Sequence, residues 1–275
     1  MITKKPSLTK KEQQFIDTVW NYYEENGRHG LPWRKNKKPY NILVSELMLQ
    51  QTQVDRVVPK YKAFMKRWPT ARQLAGAPLG EVLKEWQGLG YNRRAKFLHQ
   101  TAVAVTNDFK GVFPKTVSEL LLLPGVGSYT ASAIAAFAYN QPVVLIETNV
   151  RQVYIHHFFN DTKGIDDKEL SPVIEKTLPT ERSGEWYAAL MDYGTHLKKV
   201  YGNNTSKSKQ YQKQSKFKGS DREVRGKILK ALSEKAKTFK ALSLEIEDQR
   251  LETQLSKLES EGMVVKVKTK YSLPT

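Results

Sequence analysis

The 275-residue sequence contains no cysteine. Disulfides, thiolate zinc sites, iron–sulfur clusters and a cysteine nucleophile are excluded together. Acidic residues are few beside basic ones, 28 aspartates and glutamates against 45 lysines and arginines, which leaves a formal net charge of +17. An excess of that size points to a polyanionic partner, most simply nucleic acid. Long apolar runs are missing as well. None approaches the ~18–20 residues that span a bilayer. The opening stretch, MITKKPSLTKKEQQF, has no apolar core of signal-peptide type. A cytoplasmic location is therefore expected. At roughly 150 residues per domain, one large or two modest domains are expected, with enough chain to bury a core.

Strand signals are sparse up to about residue 200, and helical periodicity dominates. Residues 40–50 (YNILVSELMLQ) are apolar on nearly every face and predict a buried helix. Val54, Val57, Val58, Tyr61, Phe64 and Met65 recur at helical spacing, and a third apolar helix is predicted over 131–139. Between His196 and Ser220 stand seven lysines and no acid, interleaved with Ser, Asn and Gln. Such a tract cannot bury a core and predicts a mobile cationic linker over 204–220. Beyond it, Val224, Ile228, Leu229 and Leu232 predict one helix, Leu242 to Ile246 a second, and Leu251, Leu255 and Leu258 a third. Met263 to Leu273 alternates apolar and basic residues like a hairpin. Three short helices and a basic hairpin describe a winged helix-turn-helix over 221–275.

Three local patterns carry chemistry. Leu123-Pro124-Gly125-Val126-Gly127 lies between two predicted helices. Two glycines there let bare amides approach an anion, and the following helix adds its N-terminal partial charge, which suits a DNA phosphate. An ordinary helix–helix turn is the plainer reading. Glu46 sits among Leu43, Val44, Leu47, Met48 and Leu49. Burial there disfavours ionisation, as a general acid near neutrality requires. A glutamate at an exposed corner, or one paired with Arg34, is the alternative. Glu147 follows the apolar run Val143-Val144-Leu145-Ile146, with Thr148 or Asn149 expected to cap a helix from Val150. Two carboxylates in different environments can split a glycosidic bond, one protonating the leaving group and the other steadying the sugar cation. Otherwise Glu147 simply complements a helix dipole.

Leu31-Pro32-Trp33-Arg34, the run from Ser45 to Val54, Gly88-Leu89-Gly90-Tyr91, the segment from Leu123 to Gly127 and Met191-Asp192-Tyr193-Gly194 occur in order. Together they resemble the helix-hairpin-helix DNA glycosylases, above all the MutY-type adenine glycosylases, over roughly residues 10–200. The resemblance implies a mostly α, two-lobed fold over 1–203 that grips double-stranded DNA as a monomer and flips a mispaired or damaged nucleotide into a pocket between the lobes. It implies that Glu46 protonates the adenine ring, and that Glu147 and Asn149 stand at the second catalytic position. Arg34, Leu49 and Leu89 would border the base. Gln51, Thr52 and Tyr91 would wedge into the duplex. Gly125, Val126 and Gly127 would hold a phosphate, with a loosely bound cation on backbone carbonyls. Tyr129 stands where lyase-active relatives carry a lysine. Base removal without efficient strand cleavage is expected, since no Schiff base can form there.

Three departures stand out. The family's second carboxylate is an aspartate, and the extra methylene of Glu147 moves it by about 1.5 Å; a misplacement of about 1 Å can cost about a hundredfold in rate. The four cluster cysteines that follow the Met-Asp motif in relatives are absent, so no metal cofactor is expected. The winged helix-turn-helix stands where long relatives carry the domain that reads 8-oxoguanine. The expected activity is excision of adenine opposite guanine or 8-oxoguanine. A thymine- or uracil-removing mismatch glycosylase, or a catalytically impaired lesion-binding protein, are the alternatives.

Overall fold

The computed structural model describes residues 7–275, and residues 1–6 at the head of the expected first domain lie outside the described residues. The fold is mostly helical. In chain order it runs through α1 (Lys10–Asn26), α2 (Pro32–Lys35), α3 (Pro39–Leu49), α4 (Val54–Arg67), α5 (Ala71–Ala75), α6 (Leu79–Glu85) and α7 (Arg93–Asn107). After these come α8 (Val117–Leu120), α9 (Ser128–Tyr139), α10 (Thr148–Phe158), α11 (Asp167–Thr177), α12 (Ser183–Tyr201) and a one-turn 3-10 helix at Asn204–Lys207. The chain ends with α13 (Asp221–Glu234), β1 (Lys237–Thr238), α14 (Phe239–Glu245), α15 (Leu251–Ser260), β2 (Val265–Val267) and β3 (Lys270–Ser272). The helices predicted over 40–50, 54–65 and 131–139 appear as α3, α4 and α9.

The chain falls into two compact units. Among the described residues, one contains 7–42, 115–118 and 127–213. Here α1 opens with a capping box between Thr9 and Glu12, and it packs along α12, which also carries α10. Its core is strongly aromatic: Phe15 meets Tyr154 at 5.1 Å and Trp186 at 5.8 Å between ring centroids, close to the tilted and edge-on geometry such rings prefer. The apolar run 143–146 forms no strand. The buried Tyr187 satisfies its backbone instead, donating to the Val143 carbonyl at 2.8 Å and accepting from the Leu145 amide at 3.0 Å.

Part of the expected cationic linker is ordered in this unit. Asn204, Thr205 and Ser208 are buried, Ile165 bridges to Ser208, and the Asn204 amide donates to Gln152 at 2.8 Å. The polar residues that argued for mobility hold this stretch against α10 through hydrogen bonds, so residues 204–208 depart from the predicted linker.

The other unit contains residues 43–114, 119–126 and 214–275. Its buried side chains include Leu43, Leu47, Phe64, Leu74, Trp86 and Leu98. The three predicted C-terminal helices are α13, α14 and α15, and the basic hairpin is β2 with β3. β3 lies between β1 and β2, antiparallel to both, with Lys237 opposite Tyr271 and Lys266 also opposite Tyr271. This C-terminal segment packs on α6 through α13. Beside it the Gly80 amide donates to the Pro274 carbonyl at 2.9 Å, and a Cβ at Gly80 would fall 2.4 Å from that oxygen.

Candidate functional site

In the unit that contains 43–114, the site grows from the C-terminal end of α3. Residues 40–48 of this helix are all buried, and Glu46 is 6% exposed among apolar neighbours. The exposed-corner alternative for Glu46 is thereby removed. Leu49, half-buried, closes the helix, and the chain then turns through Gln50, Gln51 and Thr52.

Gln51 has φ +56° and Tyr91 has φ +48°. Two of the three residues expected to wedge into DNA thus occupy the left-handed region, which costs a side-chain-bearing residue energy and marks positions that the surroundings over-determine. The surroundings here are largely one side chain. Arg94 is buried in the first turn of α7 and donates to the carbonyls of Met48 (3.1 Å) and Gln50 (2.7 Å), and of Leu47, at the end of α3. It also donates to Leu89 (3.0 Å) and Gly90 (2.9 Å) in the second loop. The Thr52 hydroxyl donates to the Leu89 carbonyl at 3.2 Å and joins the same loops. A planar fork of five N–H groups at the negative end of a helix is well suited to this work. Burial, only slightly offset by Tyr91, pulls the Arg94 guanidinium down to about 10. Its charge lies 5.5 Å from the centroids of both Trp86 and Tyr91.

The glycine turn rests on α7. Gly125 has φ +73°, and a Cβ there would lie 2.3 Å from the Phe97 side chain. No other residue fits. Thr101 donates to the Pro124 carbonyl at 2.6 Å, and the amide of buried Val126 donates to the Leu123 carbonyl at 3.1 Å. Gly127 differs from Gly125. It is exposed, it is the N-cap of α9, and a Cβ added to it would meet nothing within 4 Å. The interior therefore does not demand a glycine at 127; the open side is where an anion would approach the helix end.

In the unit that contains 127–213, α10 begins at Thr148, not Val150, and neither Thr148 nor Asn149 is its cap. Glu147 is the cap itself: its carboxylate accepts from the amides of Asn149 (2.7 Å) and Val150 (2.9 Å), and from the Asn149 side chain at 3.3 Å. Burial pushes the Glu147 carboxyl above its ordinary range, against the pull of these amides. The other side of Asn149 faces α12, where a Cβ at Gly194 would lie 2.5 Å from the Asn149 carbonyl oxygen. Tyr129, half-buried in the first turn of α9, packs against the aromatic core of this unit.

Asp192 explains the Met-Asp motif. Its carboxylate is nearly inaccessible and takes a bidentate pair from Arg34 (2.6 and 2.8 Å), with Arg28 donating through its backbone amide (2.7 Å) and its side chain (2.6 Å). Burial alone would raise Asp192; the hydrogen bonds and charges of Arg34 and Arg28 outweigh it and hold the carboxyl below its ordinary range. Arg34, expected at the base, thus carries a structural ion pair and also donates to the Ala188 carbonyl at 3.2 Å.

Sequence reasoning missed Arg94 and the partners of Asp192. For Arg94 a signal existed. Arg93 and Arg94 open α7, where a helix dipole disfavours cations, so another reason for them was needed. Among the described residues no cluster of three or more His, Asp or Glu could hold a metal ion, and no helix is long and apolar enough to cross a membrane.

Residues 44–179 match the family of HhH-GPD superfamily base excision DNA repair proteins. An adenine DNA glycosylase of Mycolicibacterium smegmatis is 38% identical over 226 residues, which cover 76% of this chain and 77% of that protein. An adenine DNA glycosylase of Buchnera aphidicola subsp. Baizongia pistaciae is 38% identical over 181 residues, 66% of this chain and 52% of that one. The chain therefore spans about half the length of some curated relatives that it matches. Among solved structures, a thermostable thymine-DNA glycosylase superposes with a TM-score of 0.59 at 27% identity, covering 67% of this chain and 86% of that one. Motifs, fold and relatives agree: the chain belongs to the HhH-GPD superfamily of base excision DNA repair proteins.

Proposed function

We propose that this chain is a DNA glycosylase of base excision repair that removes adenine mispaired with guanine or 8-oxoguanine. The carrying observation is the pair of left-handed residues Gln51 and Tyr91, held by Arg94 directly after the helix that buries Glu46. In this reading Gln51, Thr52 and Tyr91 enter the duplex and the adenine leaves the stack. Leu49, Leu89 and Arg34 border the base, and Glu46 gives its proton to an adenine ring nitrogen. The N-glycosidic bond then breaks with its electrons going to the protonated base. Glu147, with Asn149, steadies the sugar cation until water adds. Tyr129 supplies no amine, so the strand stays intact. The amides of Gly125, Val126 and Gly127 receive a phosphate at the start of α9, and no cofactor takes part.

Domain limits follow the same reading: a glycosylase domain over 1–203, a basic linker over 204–220 whose first residues, 204–208, are held against α10, and a winged helix-turn-helix-like domain over 221–275. The last is supported by the succession α13, β1, α14, α15, β2, β3 and by the three-stranded antiparallel sheet. The protein acts as a monomer on double-stranded DNA.

Labelled duplexes bearing A·8-oxoG, A·G, T·G and U·G, incubated with the protein and treated with hot alkali, test the proposal. Nicks at adenine are expected only after alkali. Nicks at the pyrimidine would transfer the assignment to a thymine or uracil glycosylase, the first of which is the activity named for the 27%-identical structure. Binding without nicks would leave a lesion-binding protein. Glu46→Gln is expected to lower excision by at least about a hundredfold, the typical contribution of a general acid, with duplex affinity largely kept.

A further inference from the structure

The stretch from Glu245 to Glu261 holds six acids and two bases, in a chain whose net charge is +17. It contains α15. In the winged-helix reading α15 is the helix whose first turn would meet base edges in a major groove. That turn presents Glu252 and Thr253 outward and has no cation of its own. Arg250, its N-cap, is drawn back onto Asp248 at 2.8 Å and onto the Gly219 carbonyl at 2.8 Å. Further along, Glu259 is exposed beside Lys257. A carboxylate entering a groove walled by phosphates is repelled, so this face is poorly made for DNA.

The hairpin that follows has the opposite charge. From Gly262 to Thr275 there are three lysines, Lys266, Lys268 and Lys270, all exposed, and no acid. Its roots are fixed. Met263, Val264 and Leu273 are buried, Lys96 of α7 donates to the Glu261 carbonyl, and Arg225 pairs with the Glu261 carboxylate at 2.5 Å. The tip is free. Pairing sets Thr238, Lys270 and Val267 in one row, and Lys237, Tyr271 and Lys266 in the next. Lys237 and Tyr271 are buried, so the row of Lys270 faces outward, with Val267 64% exposed. Lys268 turns the hairpin at φ +57°, a position that favours glycine or asparagine. A lysine there costs backbone energy and keeps a cation at the tip. We infer that the hairpin of β2 and β3, and not α15, is the duplex-binding surface of this segment, with its lysines on phosphates and no base read. The tip lies four residues beyond buried Val264, roughly 13 Å of extended chain, which matches the rise of about four base pairs. Phosphates flanking the excised base are therefore its target. The inference rests on the proposed glycosylase function for the choice of DNA as the polyanion, but its test needs no excision.

The full chain is titrated by anisotropy, over a range of salt, against a duplex of about 30 base pairs and one of about 10, roughly a single helical turn. Lys268→Gln combined with Lys270→Gln is expected to flatten the log–log salt slope on the long duplex by about 1.8, or 0.9 for each phosphate released. Low-salt affinity is expected to fall about tenfold there, and less than about twofold on the short duplex. Arginine at the same two positions keeps the charge and is expected to keep both slope and affinity. Should the glutamine pair not fold, Lys270→Gln alone reads half the change in slope. Thr253→Ala combined with Lys257→Gln, on the outward face of α15, is expected to move affinity by less than about twofold. An unchanged slope in the glutamine pair, or a larger loss from the α15 pair, overturns the inference. So does an equal loss on both duplexes, which sets the hairpin on the turn of DNA that the glycosylase motifs engage. If the parent binds neither duplex, this inference and the glycosylase reading fall together. If affinity responds as expected but no mispair is cut, only the glycosylase reading falls.

Discussion

At the scale of single residues, the titratable groups act with different signs. His157 lies within hydrogen-bond distance of the Tyr193 hydroxyl (3.1 Å), and its ring centroid is 5.1 Å from that of Phe15. Burial, with smaller contributions from His156 and Lys11, depresses it to about 4 from an ordinary 6.5. The folded state then binds fewer protons than the unfolded one, so His157 costs stability as pH falls from 6.5 towards 4. Glu147 works in the opposite sense, because its raised carboxyl favours the folded state on acidification. Asp192, held low, withdraws its contribution only below its ordinary 3.8. Comparing the parent with His157→Gln isolates one of these. Between pH 7 and 4 the parent is expected to lose on the order of 2 kcal/mol relative to the variant; parallel denaturation curves would contradict the assignment.

Much of the residue-level site could be read from sequence where apolar spacing or a glycine requirement fixed it. Glu46 is buried because its neighbours have to be, and Gly125 is a glycine because Phe97 occupies the place of its side chain. Three things were not read. Glu147 as a cap was obscured by Thr148 and Asn149, which are better capping residues by propensity. Arg94 binds carbonyls, which every residue has, so its partners leave no sequence pattern. Asp192 meets Arg34 across 158 positions of chain, a separation that no local periodicity reports.

At the scale of elements, the close approach of α12 to α10 decides how the Glu147 cap is held. Gly194→Ala puts a methyl 2.5 Å from the Asn149 carbonyl oxygen. Expected destabilisation is about 1–3 kcal/mol, typical of overpacking. Gly226 in α13 is the contrast: a Cβ there meets nothing within 4 Å, and alanine in that helix interior is expected to add up to about 1 kcal/mol. Denaturant midpoints moving in opposite directions would check the pair, and a shift of the same sign in both would refute the packing account. The elements legible in advance were those with long periodic runs, such as α3, α4 and α9. The two-residue β1 was not, because it exists only by pairing with β3, some thirty residues further on.

At the scale of the molecule, the charge of +17 is concentrated in part between α12 and α13. Lys207 in that tract donates to the Asn160 carbonyl at 2.6 Å and is already engaged. Lys209, Lys213, Lys216 and Lys218 remain the stronger candidates for phosphate contact. Replacing those four with glutamine should flatten the dependence of DNA affinity on salt by about 0.9 in log–log slope for each lysine that neutralises a phosphate. An unchanged slope would show that the tract stands clear of the duplex.

One further consequence concerns the bond between the Gly80 amide and the Pro274 carbonyl. That amide can trade its hydrogen for deuterium only when the last residues of the chain lift away from α6. A single exchange rate at residue 80 thus clocks how often the C-terminal sheet undocks, without a label or a truncation.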